Sequence, residues 1–254
     1  MLSVSLTQKS INFRTRATLM TGRYASRFGA QHRVFLPGSP RAVPLNETIL
    51  AERLKARGFR TALVGKWHLG FYAPQFVPTA RGFDFQYGYY TGDESYINHT
   101  CGPCPDQARG CVVPHKPSAP GPALGFRDPC GRDWTRNDRP LQFEDTGEWS
   151  PFVFSRVSRE VIANHSRDHS TQPLFLYLAM QTTHAPYEAP EDVLAKYSHI
   201  SYKNRRPYAA LIELCDQTVR NVTAALDDHG LRDNTLIIFL SVRFAPFLPE
   251  PAGR

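Results

Sequence analysis

A lysine and a histidine two residues apart, Lys66 and His68, end the short apolar run 61–64 within GFRTALVGKWHLGFY (residues 58–72). In extended or turning backbone, residues i and i+2 point the same way, so the pair is expected to face one spot. Gly65 and Gly70 let the chain bend around that spot. A lysine charge beside an imidazole suits an oxyanion such as sulfate or phosphate, since one holds charge and the other moves a proton. Taken alone, a K-x-H reads more often as a solvated lysine beside a core histidine. One other group argues against that reading here. His184 follows the apolar run LFLYLAM (174–180), in the turn TTHAPYEAP. Open α/β sheets gather their sites at the carboxyl ends of strands. Arg16, in NFRTRATLMTGR (12–23), reads by itself as a surface helix arginine. His99, His165, His169 and His199 lack such placement and read as surface residues.

The elements that must position these groups alternate between helix and strand, which indicates an α/β fold. A helix is expected to open within 16–22, with Arg16 near its start. Asn46 can cap a helix from Glu47 to Arg57, ended by Gly58, with a strand over 60–65 directly after it. Residues 73–150 are rich in proline, glycine, cysteine and aromatics, and read as a long irregular insertion near the pocket. A helix is expected over 152–166. The run 174–180 is expected to be a fully buried parallel strand. Residues 205–228 carry Leu211, Leu214, Cys215, Val219, Val222 and Leu226 at helical spacing and end near Gly230. A strand is expected over 235–240, and the proline-rich tail 245–254 reads as loose.

GFRTALVGKWHLG resembles the second signature of the sulfatase family. NFRTRATLMTGR is similar to the first, with Arg16, Leu19, Met20, Thr21, Gly22 and Arg23 in frame and Thr15 in place of serine. Residues 78–92 (PTARGFDFQYGYYTG) and 173–190 (PLFLYLAMQTTHAPYEAP) resemble later segments of arylsulfatase B-like members. The resemblance runs in order from residue 12 to residue 240. It implies an alkaline-phosphatase-like sandwich with a mostly parallel central sheet, and hydrolysis of sulfuric esters, either small aryl sulfates or sulfated glycans. It also implies roles. Arg16 would brace a formylglycine nucleophile, Lys66 would hold sulfate oxygens, His68 would manage the proton on the aldehyde hydrate, and His184 would protonate the leaving alcohol. A bound calcium belongs to the same expectation.

The departures from the family pattern are specific. The position of the cysteine that becomes formylglycine is Asn12, and Arg14 stands where the converting enzyme's motif needs proline. The family's aspartate pair lies upstream of this motif, and its Asp-Asn pair follows a strand like NTLIIFLS. Here that stretch runs on into Val242 and Arg243, so calcium ligands are not expected. Residues 1–244 therefore read as a partial sulfatase catalytic domain, truncated or wrongly joined at its ends, with impaired turnover. One alternative is a non-catalytic binder of sulfated glycans or other anions. Another is a phosphate ester or phosphonate hydrolase of the same superfamily, against which Asn12 argues equally.

The remaining composition bounds the partners and the compartment. With 254 residues and 41% hydrophobic content, the chain is long enough for one sizeable domain. Its net charge of +7 comes from scattered arginines without a long basic run, so no nucleic-acid partner is expected. Cys101, Cys104, Cys111 and Cys130 cluster with Cys215 apart, which suits disulfides of unassigned pairing better than a zinc site. Sequons at Asn46, Asn98, Asn164 and Asn221 favour a secreted or lysosome-like compartment. The opening MLSVSLTQKS is too short and polar for a signal peptide, and no run reaches membrane-spanning length. The spacing says nothing of the oligomeric state.

Overall fold

Alternation along a strand sends neighbouring side chains to opposite faces, and β1 (Arg60–Lys66) is apolar on both. The computed structural model describes residues 12–31, 35, 39–100, 131–202 and 204–241. In it β1 lies between β2 (Phe85–Tyr89) and β5 (Leu174–Ala179), both parallel to it. Two short antiparallel strands, β3 (Thr135–Arg136) and β4 (Arg139–Pro140), extend the far side, giving the order β4-β3-β2-β1-β5.

Each face of β1 has its own helical cover. Leu63, with Phe175 and Tyr177 of β5, packs on Phe13, Ala17 and Met20 of α1 (Asn12–Thr21) and Ala51 of α2 (Leu50–Lys55). Ala62 and Val64, with Tyr87, Tyr89 and Trp134, pack on Val153, Phe154, Val157 and Val161 of α3 (Ser150–Asp168). After α4 (Glu191–Lys196), α5 (Arg205–Asp228) lies against α3, where the Thr218 hydroxyl donates to the Pro151 carbonyl (3.3 Å) and the Asn221 amide to Ser155 Oγ (3.0 Å). Helices on both faces of a mostly parallel sheet give the expected alkaline-phosphatase-like α/β architecture. Where the strands run closest, glycine is required. A Cβ on Gly65, at φ +107°, would stand 2.2 Å from the Ala179 carbonyl oxygen.

Several local expectations are corrected. α1 begins at Asn12, which places Arg16 in its second turn rather than near its start. α2 starts at Leu50, not Glu47, because the Glu52 carboxylate accepts the Ile49 amide (2.7 Å). Glu47 is instead engaged by Arg23 (2.6 Å) and, through its carbonyl, by Arg81 (2.7 Å). Within 73–150 the chain is not all irregular. β2 is a central strand that its aromatic and glycine content concealed, and its pairing with β1 decides its state. Residues 101–130, with Cys101, Cys104, Cys111 and Cys130, and the tail 245–254 lie outside the described residues. Cys215 is a half-buried free thiol.

β5 was expected to be fully buried, yet most of it is half-buried, since among the described residues only its β1 side is paired. The stretch 235–240, where a strand was expected, pairs with no strand among the described residues. Ile237 packs toward Leu174 and Leu176, while Leu236 is 69% exposed. His99 and His165 are buried rather than on the surface, and His169 is half-buried. The His99 ring stacks on Trp134 at 3.9 Å, aromatic packing that no sequence spacing announced. Among the described residues, no helix is long and apolar enough to cross a membrane.

Candidate oxyanion site

Because β1, β2 and β5 are parallel, the residues leaving their carboxyl ends meet along one rim of the sheet. β1 ends at Lys66, but the pairing carries on. The Trp67 and His68 amides donate to the carbonyls of Tyr89 (2.9 Å) and Tyr90 (3.1 Å). Lys66 and His68 therefore converge as their spacing predicts, both against Gly92. The lysine ammonium donates to the Gly92 carbonyl, and a Cβ built on Gly92 would fall 2.9 Å from His68 Cε1. Neither is a solvated surface group, since Lys66 is 1% exposed and His68 is buried. His68 also adopts φ +55°, a left-handed conformation uncommon for a residue with a side chain.

Hydrogen-bond roles set the protonation of His68. Its Nε2 lies 3.3 Å from the Phe35 carbonyl, and a carbonyl only accepts, so Nε2 carries the hydrogen. Nδ1 is then a lone pair, buried and without a partner among the described residues. Burial holds this imidazole well below its ordinary range, and the charges of Lys66, Arg16 and His184 push the same way. Burial likewise lowers Lys66, and Arg16 adds to that, while Asp93 and Glu94 oppose it.

Arg16 arrives from α1 and reaches between two strands. Its Nη1 donates to the Lys66 carbonyl (3.2 Å) and to the Tyr177 hydroxyl of β5 (3.0 Å). Its Nε is buried with no partner among the described residues. A buried guanidinium with an unmet donor is suited to an anion, the ligand that supplies acceptor and countercharge together. His184 completes the rim beyond β5. Its Nδ1 donates to the Ala185 carbonyl (2.8 Å), and the Tyr96 hydroxyl donates to the His184 carbonyl (2.9 Å). A cleft beside His68 is bounded by Phe35, Ser39, Arg41, Phe71, Tyr72 and Tyr90. Asn12 is the first residue of α1, four residues before Arg16.

The structure thus brings Arg16, Lys66, His68 and His184 to one end of the sheet. It also adds partners that the sequence reading did not name, Gly92 and Tyr177. Tyr177 had a detectable signal: its hydroxyl is the one polar side-chain group in the run LFLYLAM. Gly92 acts through its backbone and left no signal in residue type. Calcium finds no fit among the described residues. No three His, Cys, Asp or Glu side chains among them could hold a metal ion, and the rim itself is cationic.

A family model described as Sulfatase matches residues 13–242. The chain is 35% identical over 227 residues to Arylsulfatase J of Mus musculus, covering 89% of this chain and 34% of that protein. It is 32% identical over 230 residues to Arylsulfatase A of Homo sapiens, covering 89% of this chain and 41% of that protein. Among solved structures, that of Ps i-CgsB in complex with k-i-k-neocarrahexaose superposes with a TM-score of 0.71 at 28% identity, over 87% of this chain and 45% of that one. The chain spans less than half the length of these relatives.

Proposed function

The chain belongs to the sulfatase family, and on that premise we propose that its rim binds the sulfate group of a sulfuric ester, an aryl sulfate or a sulfated glycan. The observation that carries this reading is Arg16: Nη1 held by the Lys66 carbonyl and the Tyr177 hydroxyl, Nε buried and unmet. Arg16 and Lys66 would share the charge of the sulfate oxygens. His68 Nδ1 would accept a hydrogen from the group attacking sulfur, and His184 would serve the bridging oxygen of the leaving alcohol.

In this chain the rim binds better than it turns over. The position of the family's nucleophile is Asn12, and an amide neither becomes formylglycine nor attacks sulfur effectively. Asn12 thus favours a binder of sulfated ligands built on a hydrolase scaffold. The proposal includes a secreted or lysosome-like compartment. It is supported by sequons whose asparagines at Asn46, Asn164 and Asn221 are exposed.

The test pairs two measurements on the purified chain and its Lys66→Ala variant. Hydrolysis of a chromogenic aryl sulfate, with and without calcium, is expected to stay at the level of the variant. Titration calorimetry with sodium sulfate is expected to show saturable binding that weakens about tenfold or more in the variant, equivalent to about 1.4 kcal/mol. Calcium-dependent turnover lost with Lys66 would refute catalytic silence. Absence of sulfate binding would refute the anion site.

A further inference from the structure

The cleft beside His68 is lined by side chains that sulfate binding at the rim leaves unused. Phe35 ties it to the rim. Its carbonyl takes the hydrogen of His68 Nε2 (3.3 Å), and its ring lies under the Arg41 guanidinium, with Cζ 5.3 Å from the centroid. The backbones of the two segments also meet. The Val43 amide donates to the Leu69 carbonyl (2.9 Å), and a Cβ on Gly70 would stand 2.7 Å from the Arg41 carbonyl oxygen. Arg41 is therefore fixed beside the chain that leaves β1 through His68. Its Nη2 donates to the Gly29 carbonyl (3.3 Å). Anchoring a planar guanidinium by one edge and one face sets the direction of its whole fork of donors.

The rest of the lining is aromatic and held in place. Phe71 and Tyr90 stack with their centroids 5.5 Å apart. Tyr90 is anchored at both ends. Its amide donates to the Asp133 carboxylate (3.0 Å) and its hydroxyl to the Asp138 carboxylate (2.5 Å), which the Thr79 hydroxyl also reaches. Tyr72 is 48% exposed, with its ring 4.6 Å from that of Phe76. Rings fixed in this way lose little freedom when a ligand ring lies against them. Apolar ring surface with one oriented cation, continuous with an oxyanion site, suits a ring that carries anions.

We propose that this cleft seats the ring of the sulfated ligand and that Arg41 takes a second anionic group on that ring, a carboxylate or another sulfate, an inference that rests on the sulfate-binding reading above. The guanidinium fork meets either group with two parallel N–H···O bonds, which an ammonium cannot do. Selectivity is a difference of affinities. Arg41 supplies that difference here, since a ring with one sulfate reaches the rim alone and a ring with two anions reaches Arg41 as well.

Titration calorimetry on the purified chain tests this with sodium sulfate, phenyl sulfate, and the ortho, meta and para isomers of carboxyphenyl sulfate and of phenylene disulfate. The isomers span different separations of the two anions. The readout is the affinity of each relative to phenyl sulfate within one variant, so a general loss of binding cancels. At least one doubly anionic isomer is expected to bind wild type about tenfold tighter than phenyl sulfate. That ratio should fall to near unity in Arg41→Gln. Arg41→Lys, which keeps the charge without the fork and serves where Arg41→Gln folds poorly, should retain only part of it. Arg53→Gln removes an exposed charge from α2 and should leave the ratio standing. A gain confined to the carboxylates or to the disulfates supports the proposal and identifies the second anion. No isomer better than phenyl sulfate overturns it, as does a ratio fully kept in both Arg41 variants or one lost equally in Arg53→Gln. Absence of binding by both sodium sulfate and phenyl sulfate defeats the rim reading instead, and that pattern separates the two failures.

Discussion

The carboxyl rim of the sheet and the side left open among the described residues share one strand, β5, and treat solvent in opposite ways. At the rim, charged and polar groups are buried: Lys66, Arg16 and His68 lie out of water, each held by a carbonyl. At the open side, apolar groups are exposed, with Ile238 55% and Phe239 54% accessible and most of β5 half-buried. Hydrophobicity alone would have assigned the two the other way round. Burial at the rim follows from local hydrogen bonding, in which backbone carbonyls at the ends of β1 and β2 and the Tyr177 hydroxyl serve the donors. Burial along the side of a strand depends on a neighbouring strand, and no property of β5 itself supplies one.

The sharpest way to break the comparison is to damage the core that carries the rim. Trp134 packs against Tyr87 and Phe154 beneath β2. Trp134→Ala is expected to cost about 3–5 kcal/mol in urea denaturation. A loss below about 1 kcal/mol would mean that the cluster is not formed as described.

Acid should act next most strongly, through buried histidine. Burial takes His99 from its ordinary 6.5 to about 4, so between those values the unfolded chain binds the proton that the folded one refuses. Stability from His99 is therefore present above pH 6.5 and lost as pH falls toward 4. One pKa unit is worth about 1.4 kcal/mol, which makes the whole window worth about 3 kcal/mol. His68 acts in the same direction. Glu94, raised by burial, acts oppositely above its ordinary 4.5. His99→Phe should flatten the fall in thermal midpoint between pH 6.5 and 4. An unchanged slope would place the titration elsewhere.

Tyr177 sharpens the contrast, being the β5 side chain that serves the rim. Tyr177→Phe frees Arg16 Nη1 from one of its two acceptors. Sulfate affinity by calorimetry should drop by about 0.5–1.5 kcal/mol with the fold intact by circular dichroism. Full affinity in the variant would show that the hydroxyl does not orient the guanidinium.

The smallest effect is expected on the open side. Phe239→Lys should change stability by no more than about 0.5 kcal/mol, while reducing light scattering of concentrated protein. A large destabilisation would reveal a packing role for a residue that is more than half exposed.

Much of the site was legible before any coordinates. Lys66 and His68 two apart at a strand end, Arg16 in its frame and His184 after an apolar run all reach the rim, because local periodicity governs them and parallel strands share one carboxyl end. α5 matched its expected bounds, since its helical period is sustained over many residues. β2 was missed in FQYGY, whose pattern is weak and whose pairing with β1 is non-local. The start of α2 was misplaced because Glu47 spends its side chain on Arg23, a contact 24 residues distant in the chain.

By itself, the amino-acid sequence determined the alternating α/β plan, the charged groups of the rim, and the amide side chain of Asn12. Those are properties of residue type and short-range spacing. The tertiary structure alone decided that Lys66 and Glu94 are both buried, that the His99 ring stacks on Trp134, and that among the described residues β5 is paired on one side. Desolvation, tautomer choice and edge pairing depend on what surrounds a residue, and its surroundings come from parts of the chain far away in sequence.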